Sequence, residues 1–148
     1  MPILSYTINI DAPIEEVWAI LTDFEAYDEW NKFTPSVETS GRIGEPVRLQ
    51  VRLNSNENGR LTRSTLTMKK KAAYELCWGT DGFLLKANRY QTLTPLEDGR
   101  TQYESREPFE GLLAPLILWW HRENLMRGYK WAAEGLKERA EKRIKRKE

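Results

Sequence analysis

Strict alternation of apolar and polar residues is the strongest regularity along the chain. In "PVRLQVRL", Val47, Leu49, Val51 and Leu53 fall on one face of an extended segment and Arg48, Gln50 and Arg52 on the other. That is the period of an antiparallel strand with one solvated side. The segments "RLTRSTLTMKK", "AYELCWG", "LLKANRYQTLTPL" and "RTQYESREPFEG" also read as strands, and the turn-forming "NSNENG" and "EDG" fall between strands. With Ile3 to Ile10 and a weaker strand around Val37 to Ile43, the total is about seven strands.

Two stretches carry helical spacing instead. Val17, Ile20, Leu21 and Phe24 predict a helix over "IEEVWAILTDFEAY", broken near Thr22 and Asp23 into two short pieces, with Asp11 as N-cap and Pro13 near the first turn. Leu118, His121, Leu125, Tyr129, Ala132 and Leu136 form the inner stripe of a long terminal helix. It is expected from Leu112 to Lys142, a length of roughly 45 Å. The order is one strand, two short helices, six strands and a long helix, which predicts an α+β fold with an antiparallel sheet. The first helices are too short to cover the last one, so a curved sheet must wrap around it. The concave space between sheet and helix is then a natural ligand site.

Length and composition narrow the picture. A chain of 148 residues with 40% hydrophobic and 30% charged residues suits one domain, 1–148, whose end from about residue 140 is a charged helix tip. A formal charge of +1 gives no global field for nucleic acid. One cysteine and one histidine exclude the usual zinc constellations, and no acidic cluster has metal-ligand spacing, so neither a metal nor a cofactor is expected. The N-terminus lacks the basic start and long apolar core of a signal peptide, so a cytoplasmic location is expected. The apolar run from Leu112 to Trp120 is about half of the ~20 residues that a membrane-spanning helix needs.

Polar residues that fall on apolar faces mark the candidate site. The two-residue period places Arg89, Gln91 and Glu107 inward, among Leu49, Val51, Met68, Trp78 and Tyr103. Arg89 and Glu107 sit on strands joined by the "EDG" turn, and a buried unpaired charge costs several kcal/mol, so each should find the other or a ligand. His121 lies on the inner stripe of the long helix with Leu125. Trp120 is placed in the cavity wall beside Asn124, with Trp119 turned to the mouth or to solvent. Phe33 follows the short helices as a further wall residue, and Asn31 fixes the loop backbone. His121, Glu107 and Tyr103 are the candidates for acid–base chemistry. The tail from Lys137 to Glu148 carries seven basic and three acidic residues, which suits a helix C-terminus or a weak peripheral contact with an anionic membrane.

Three segments also resemble the START-like or SRPBCC superfamily of polyketide cyclases and dehydrases, birch-pollen-allergen-like proteins and lipid-transfer domains. They are "INIDAPIEEVWAILTDFEAYDEWNKF", "LTPLEDGRTQYESREPFEGLLAPL" and "GYKWAAEGLKERAE". The resemblance implies a helix-grip fold with an internal hydrophobic cavity, and it implies no single activity. The leading expectation is a binder of a small lipid, isoprenoid or polyketide-like molecule, as monomer or homodimer. The alternatives are a polyketide cyclase/dehydrase-like enzyme using the same cavity, and a protein-interaction module using the Leu112–Trp120 patch.

Overall fold

The computed structural model describes residues 2–72 and 74–147. The strands are β1 (Ile3–Ile10), β2 (Ser36–Thr39), β3 (Pro46–Val51), β4 (Thr62–Ala72), β5 (Glu75–Asp81), β6 (Lys86–Pro95) and β7 (Thr101–Glu110). They form one antiparallel sheet in the order β1-β7-β6-β5-β4-β3-β2. Consecutive strands pair as neighbours because short turns join them, and β1 is the exception. It pairs with β7, and helix α1 (Ile14–Leu21) and a 3-10 helix (Phe24–Glu29) carry the chain to the opposite edge at β2. The break between the two short helices falls at Thr22 and Asp23, as the spacing predicts; Thr22 turns its hydroxyl back to the Trp18 carbonyl at 2.8 Å.

Curvature comes from a register shift in β4. Between Met68 and Lys70 the pairing with β5 skips one residue, and the displaced Lys69 turns outward to Asp81. Such a bulge bends the strand and increases its twist. The concave face of the sheet receives helix α2 (Ala114–Lys147).

Small residues let α2 from Gly128 onward lie close to its neighbours. Ala133, Leu136 and Ala140 are fully buried in one core cluster with Val17, Ile20, Leu21 and Tyr27. A Cβ added to Gly128 would lie 2.1 Å from the Phe33 ring, and one added to Gly135 would lie 2.0 Å from the Trp30 carbonyl oxygen. These glycines stand seven residues apart on one face, so the Trp30–Phe33 segment packs directly on the helix backbone. The first half carries Ile117, His121 and Leu125 instead, whose bulk holds the helix off the sheet.

Three boundaries depart from the sequence reading. Pro13 occupies the N-cap of α1 with extended backbone and no side-chain cap; Asp11 is not the cap, and its amide donates to Glu141 Oε2 at 2.9 Å. β2 ends at Thr39, because the chain turns at Gly41 and Gly44, both with positive φ, and leaves Ile43 exposed. α2 starts after Leu112 and continues past Lys142. Its charged end is held by the Lys137–Glu141 and Glu138–Lys142 pairs and by Lys147 reaching Glu16. Among the described residues, no helix is long and apolar enough to cross a membrane.

The close approach at Gly135 gives a direct test. A helix-interior Gly→Ala change ordinarily adds about 1 kcal/mol of stability. Here the methyl meets backbone, so Gly135→Ala is expected to lower the unfolding free energy by about 1–3 kcal/mol, measured by urea denaturation.

Candidate functional site

A cavity of about 260 Å³ lies between the concave sheet and the first half of α2. Alternation along the strands turns Leu49 and Val51 of β3, Trp78 of β5, Ala87 and Arg89 of β6, and Glu107 and Phe109 of β7 toward it. Ile117, His121 and Leu125, spaced four apart on α2, form the roof, and Phe33 and Thr34 close one side. Most of this wall is apolar. Its charged groups are Arg89 and Glu107, with Arg63 at the β4 end.

The β6–β7 register decides how Arg89 and Glu107 meet. Ala87 pairs with Phe109 and Tyr90 with Arg106, so the register is the same on both sides of an interruption at Asn88 and Arg89. Pro108 has no N–H to give to the ladder at this point. Arg89 therefore stands across from Glu107, but the two side chains take different partners. Arg89 Nε donates to Ser105 Oγ at 2.9 Å and Nη2 donates to Tyr103 OH at 3.3 Å. Tyr103 in turn donates to Gln91 Oε1 at 2.6 Å. Glu107 Oε1 accepts from Tyr129 OH at 2.5 Å.

The guanidinium lies over two aromatic rings, 5.2 Å from the Phe33 centroid and 5.0 Å from that of Tyr129, which stand at 86° to each other. Both rings present their negative faces to the cation. Arg89 is only 6% exposed. Burial pushes the Glu107 carboxyl above its ordinary range, against the lowering effects of the Tyr129 hydrogen bond and of Arg89. Burial likewise raises the Tyr103 and Tyr129 hydroxyls, so both stay neutral donors. The cavity's polar end thus holds one cation and one carboxyl whose ionised form burial disfavours.

The candidate residues divide cleanly by position. Phe33, Leu49, Val51, Trp78, Arg89, Glu107, His121 and Leu125 line the cavity. Gln91 and Tyr103 are buried behind Arg89 and act on the cavity through it. Met68 is fully buried in the core cluster beyond. Trp120 is not a wall residue: it is 69% exposed, because the roof is set by Ile117, His121 and Leu125, and Trp120 projects about 100° away from His121. Asn124 is also off the wall, where it accepts from Arg127 Nη1 at 2.8 Å. Asn31 fixes its loop as expected, through Oδ1 accepting from the amides of Phe33 at 3.1 Å and Thr34 at 2.8 Å.

The three acid–base candidates share no hydrogen bond among the described residues. Glu107 turns to Tyr129 and Tyr103 to Gln91, while the buried Nδ1 of His121 has no partner. Its ring stacks against Trp120, with centroids 6.1 Å apart. Sequence reasoning placed Tyr129 on the inner stripe without giving it a role at Glu107. The available signal was its position one turn beyond Leu125, over the strand that carries Glu107.

Around the cavity, Leu112, Leu116, Trp119 and Trp120 of the α2 start lie exposed, as do Phe83 and Leu84 of the β5–β6 turn. The Leu113 amide donates to the Leu84 carbonyl at 2.8 Å, which joins the two segments. Their chain neighbours Leu85 and Ile117 line the cavity, so the apolar rim adjoins its mouth. A larger groove of about 850 Å³ on the other side of α2 is lined by surface charges such as Glu29–Arg139 and Lys32–Glu57, already paired with one another.

The family model described as "Polyketide cyclase / dehydrase and lipid transport" matches residues 1–141. Among solved structures, the Zhui aromatase/cyclase from Streptomyces sp. R1128 superimposes with a TM-score of 0.73 at 19% identity, covering 97% of this chain and 95% of that one. A START superfamily protein from Mycobacterium smegmatis gives a TM-score of 0.70 at 21% identity, covering 95% and 97%. At these identities the likeness is one of fold. No curated protein sequence matches the chain.

The enclosed carboxyl carries a pH signature. A carboxyl with a raised folded-state pKa contributes stability that is complete below its ordinary value of 4.5 and is lost as pH rises through the folded value. Glu107→Gln removes this titration and leaves the other carboxyls in place. Urea midpoints measured between about pH 5 and 8 should show wild type losing stability relative to Glu107→Gln as pH rises. A gap that is constant or widens in favour of wild type would show Glu107 ionised in the folded protein.

Proposed function

The chain belongs to the polyketide cyclase/dehydrase and lipid transport family, and we propose that within it this protein binds one small hydrophobic molecule in the cavity between the sheet and α2. The observation that carries this reading is a mostly apolar cavity with a buried polar end supplied by Arg89 and Glu107. Ligand sites combine a mostly apolar wall with a few placed polar groups, and their volumes run from about 300 to 1,000 Å³. A space near the lower end of that range suits a molecule of one or two rings or a short acyl chain. A sterol is too large for it.

Burial of the ligand's apolar area, at about 25 cal/mol per Å², supplies most of the affinity, and the polar end sets orientation. The exposed Leu116, Trp119 and Phe83 give an apolar path to the mouth. Turnover is not required by this arrangement: His121, Glu107 and Tyr103 are not wired to one another, and each would have to act on a substrate alone.

Filling the cavity tests the reading. The neutral two-ring probe 1-naphthylamine should bind wild type saturably with one-to-one stoichiometry. Leu125→Trp, which places an indole in the same space, should abolish that binding while retaining the wild-type circular dichroism spectrum and melting temperature. Undiminished one-to-one binding by the folded variant would place the hydrophobic site elsewhere.

A further inference from the structure

Arg89 poses a charge problem that the protein does not solve by itself. Its side chain is all but withdrawn from solvent, yet none of the ion pairs among the described residues includes it. Its hydrogen bonds go to two neutral hydroxyls, Ser105 and Tyr103, through Nε and Nη2. Nη1 has no protein acceptor among the described residues, and the residue forms part of the cavity wall. A desolvated cation costs several kcal/mol unless an anion compensates it, and ring faces offset only part of that.

The carboxylate nearest in register is committed elsewhere. Glu107 Oε1 accepts the hydrogen bond of Tyr129, and burial raises its carboxyl above the ordinary range. The polar end therefore presents the free N–H groups of Arg89 to the cavity. A ligand that meets them must be an acceptor, and a buried guanidinium without an ion pair calls for a negative one.

We propose that the cavity selects a small apolar monoanion, a carboxylic acid in its ionised form, whose carboxylate is received by Arg89 Nη1 while its hydrocarbon lies under Ile117 and Leu125. This rests on the cavity reading above and narrows it from hydrophobic molecules in general to amphipathic acids. A short-chain fatty acid and an aromatic acid have the right chemistry, and the cavity volume excludes long acyl chains in extended form. A charge-assisted hydrogen bond is about twice as strong as a neutral one, so the acid should be distinguished from the alcohol of the same length.

The test compares matched probes by titration calorimetry at neutral pH: octanoate, 1-octanol and octylamine, and as a second shape 2-naphthoate and 2-naphthol. Wild type should bind the carboxylates at least about tenfold more tightly than the matched alcohols, with the amine weakest. Arg89→Met, which replaces the cation by an apolar chain of similar reach, should lose that preference, the carboxylates falling to or below the affinity of the matched alcohols. Alcohols or the amine binding as tightly as the acids would overturn the anion inference and leave the cavity reading standing. Failure of all five probes and of 1-naphthylamine would overturn both. If Arg89→Met does not fold, the wild-type ranking alone decides.

Discussion

The rest of the site follows from one buried cation. Arg89 sits on the fifth of six consecutive strands, at a position where alternation turns it inward, and every nearby polar group is arranged around it. Ser105 and Tyr103 hold two of its nitrogens, Gln91 orients Tyr103, and Phe33 and Tyr129 enclose the guanidinium. Tyr129 also ties down the one carboxyl close in register. A network whose members are satisfied is rigid, and the unsatisfied edge of this one faces the cavity. Water or a ligand must complete it.

The cavity itself is a consequence of how side-chain size is distributed along α2. Alanines and glycines in the second half bring the helix against β1, α1 and the Trp30–Phe33 segment, and the bulge in β4 bends the sheet toward it. Larger residues in the first half keep that end raised, and the space left under Ile117, His121 and Leu125 opens beside an exposed apolar rim. Stability and function thus occupy opposite ends of one helix. This is the helix-grip architecture of START-like proteins, and it explains why the chain spends its most apolar stretch at the helix start: the residues there divide between roof and rim.

Most of this architecture was legible in the sequence because it depends on period. Two-residue alternation identified the inward faces of β3, β6 and β7, including Arg89 and Glu107, and 3-4 spacing found His121, Leu125 and Tyr129. Where period could not decide, the reading failed for identifiable reasons. Trp120 and His121 are adjacent and point about 100° apart, so placing both in the wall was one residue too many, and the roof takes His121. Met68 alternates inward like Leu49, but it lies under the packed half of the helix rather than the raised half, a difference that only the tertiary course of α2 creates. The opposed placement of Arg89 and Glu107 suggested a pair, whereas Tyr129 competes for the carboxyl from another element altogether. Hydrogen-bond choice among three strands and a helix has no signature in local sequence.

The most direct measurement is native mass spectrometry of the protein purified from its own source, followed by acid extraction and identification of the released compound. The account predicts one small molecule per chain, recovered as a free acid with a compact apolar body. A stoichiometric neutral or basic compound, or an unloaded protein that also fails to take up any small acid offered to it, would contradict it.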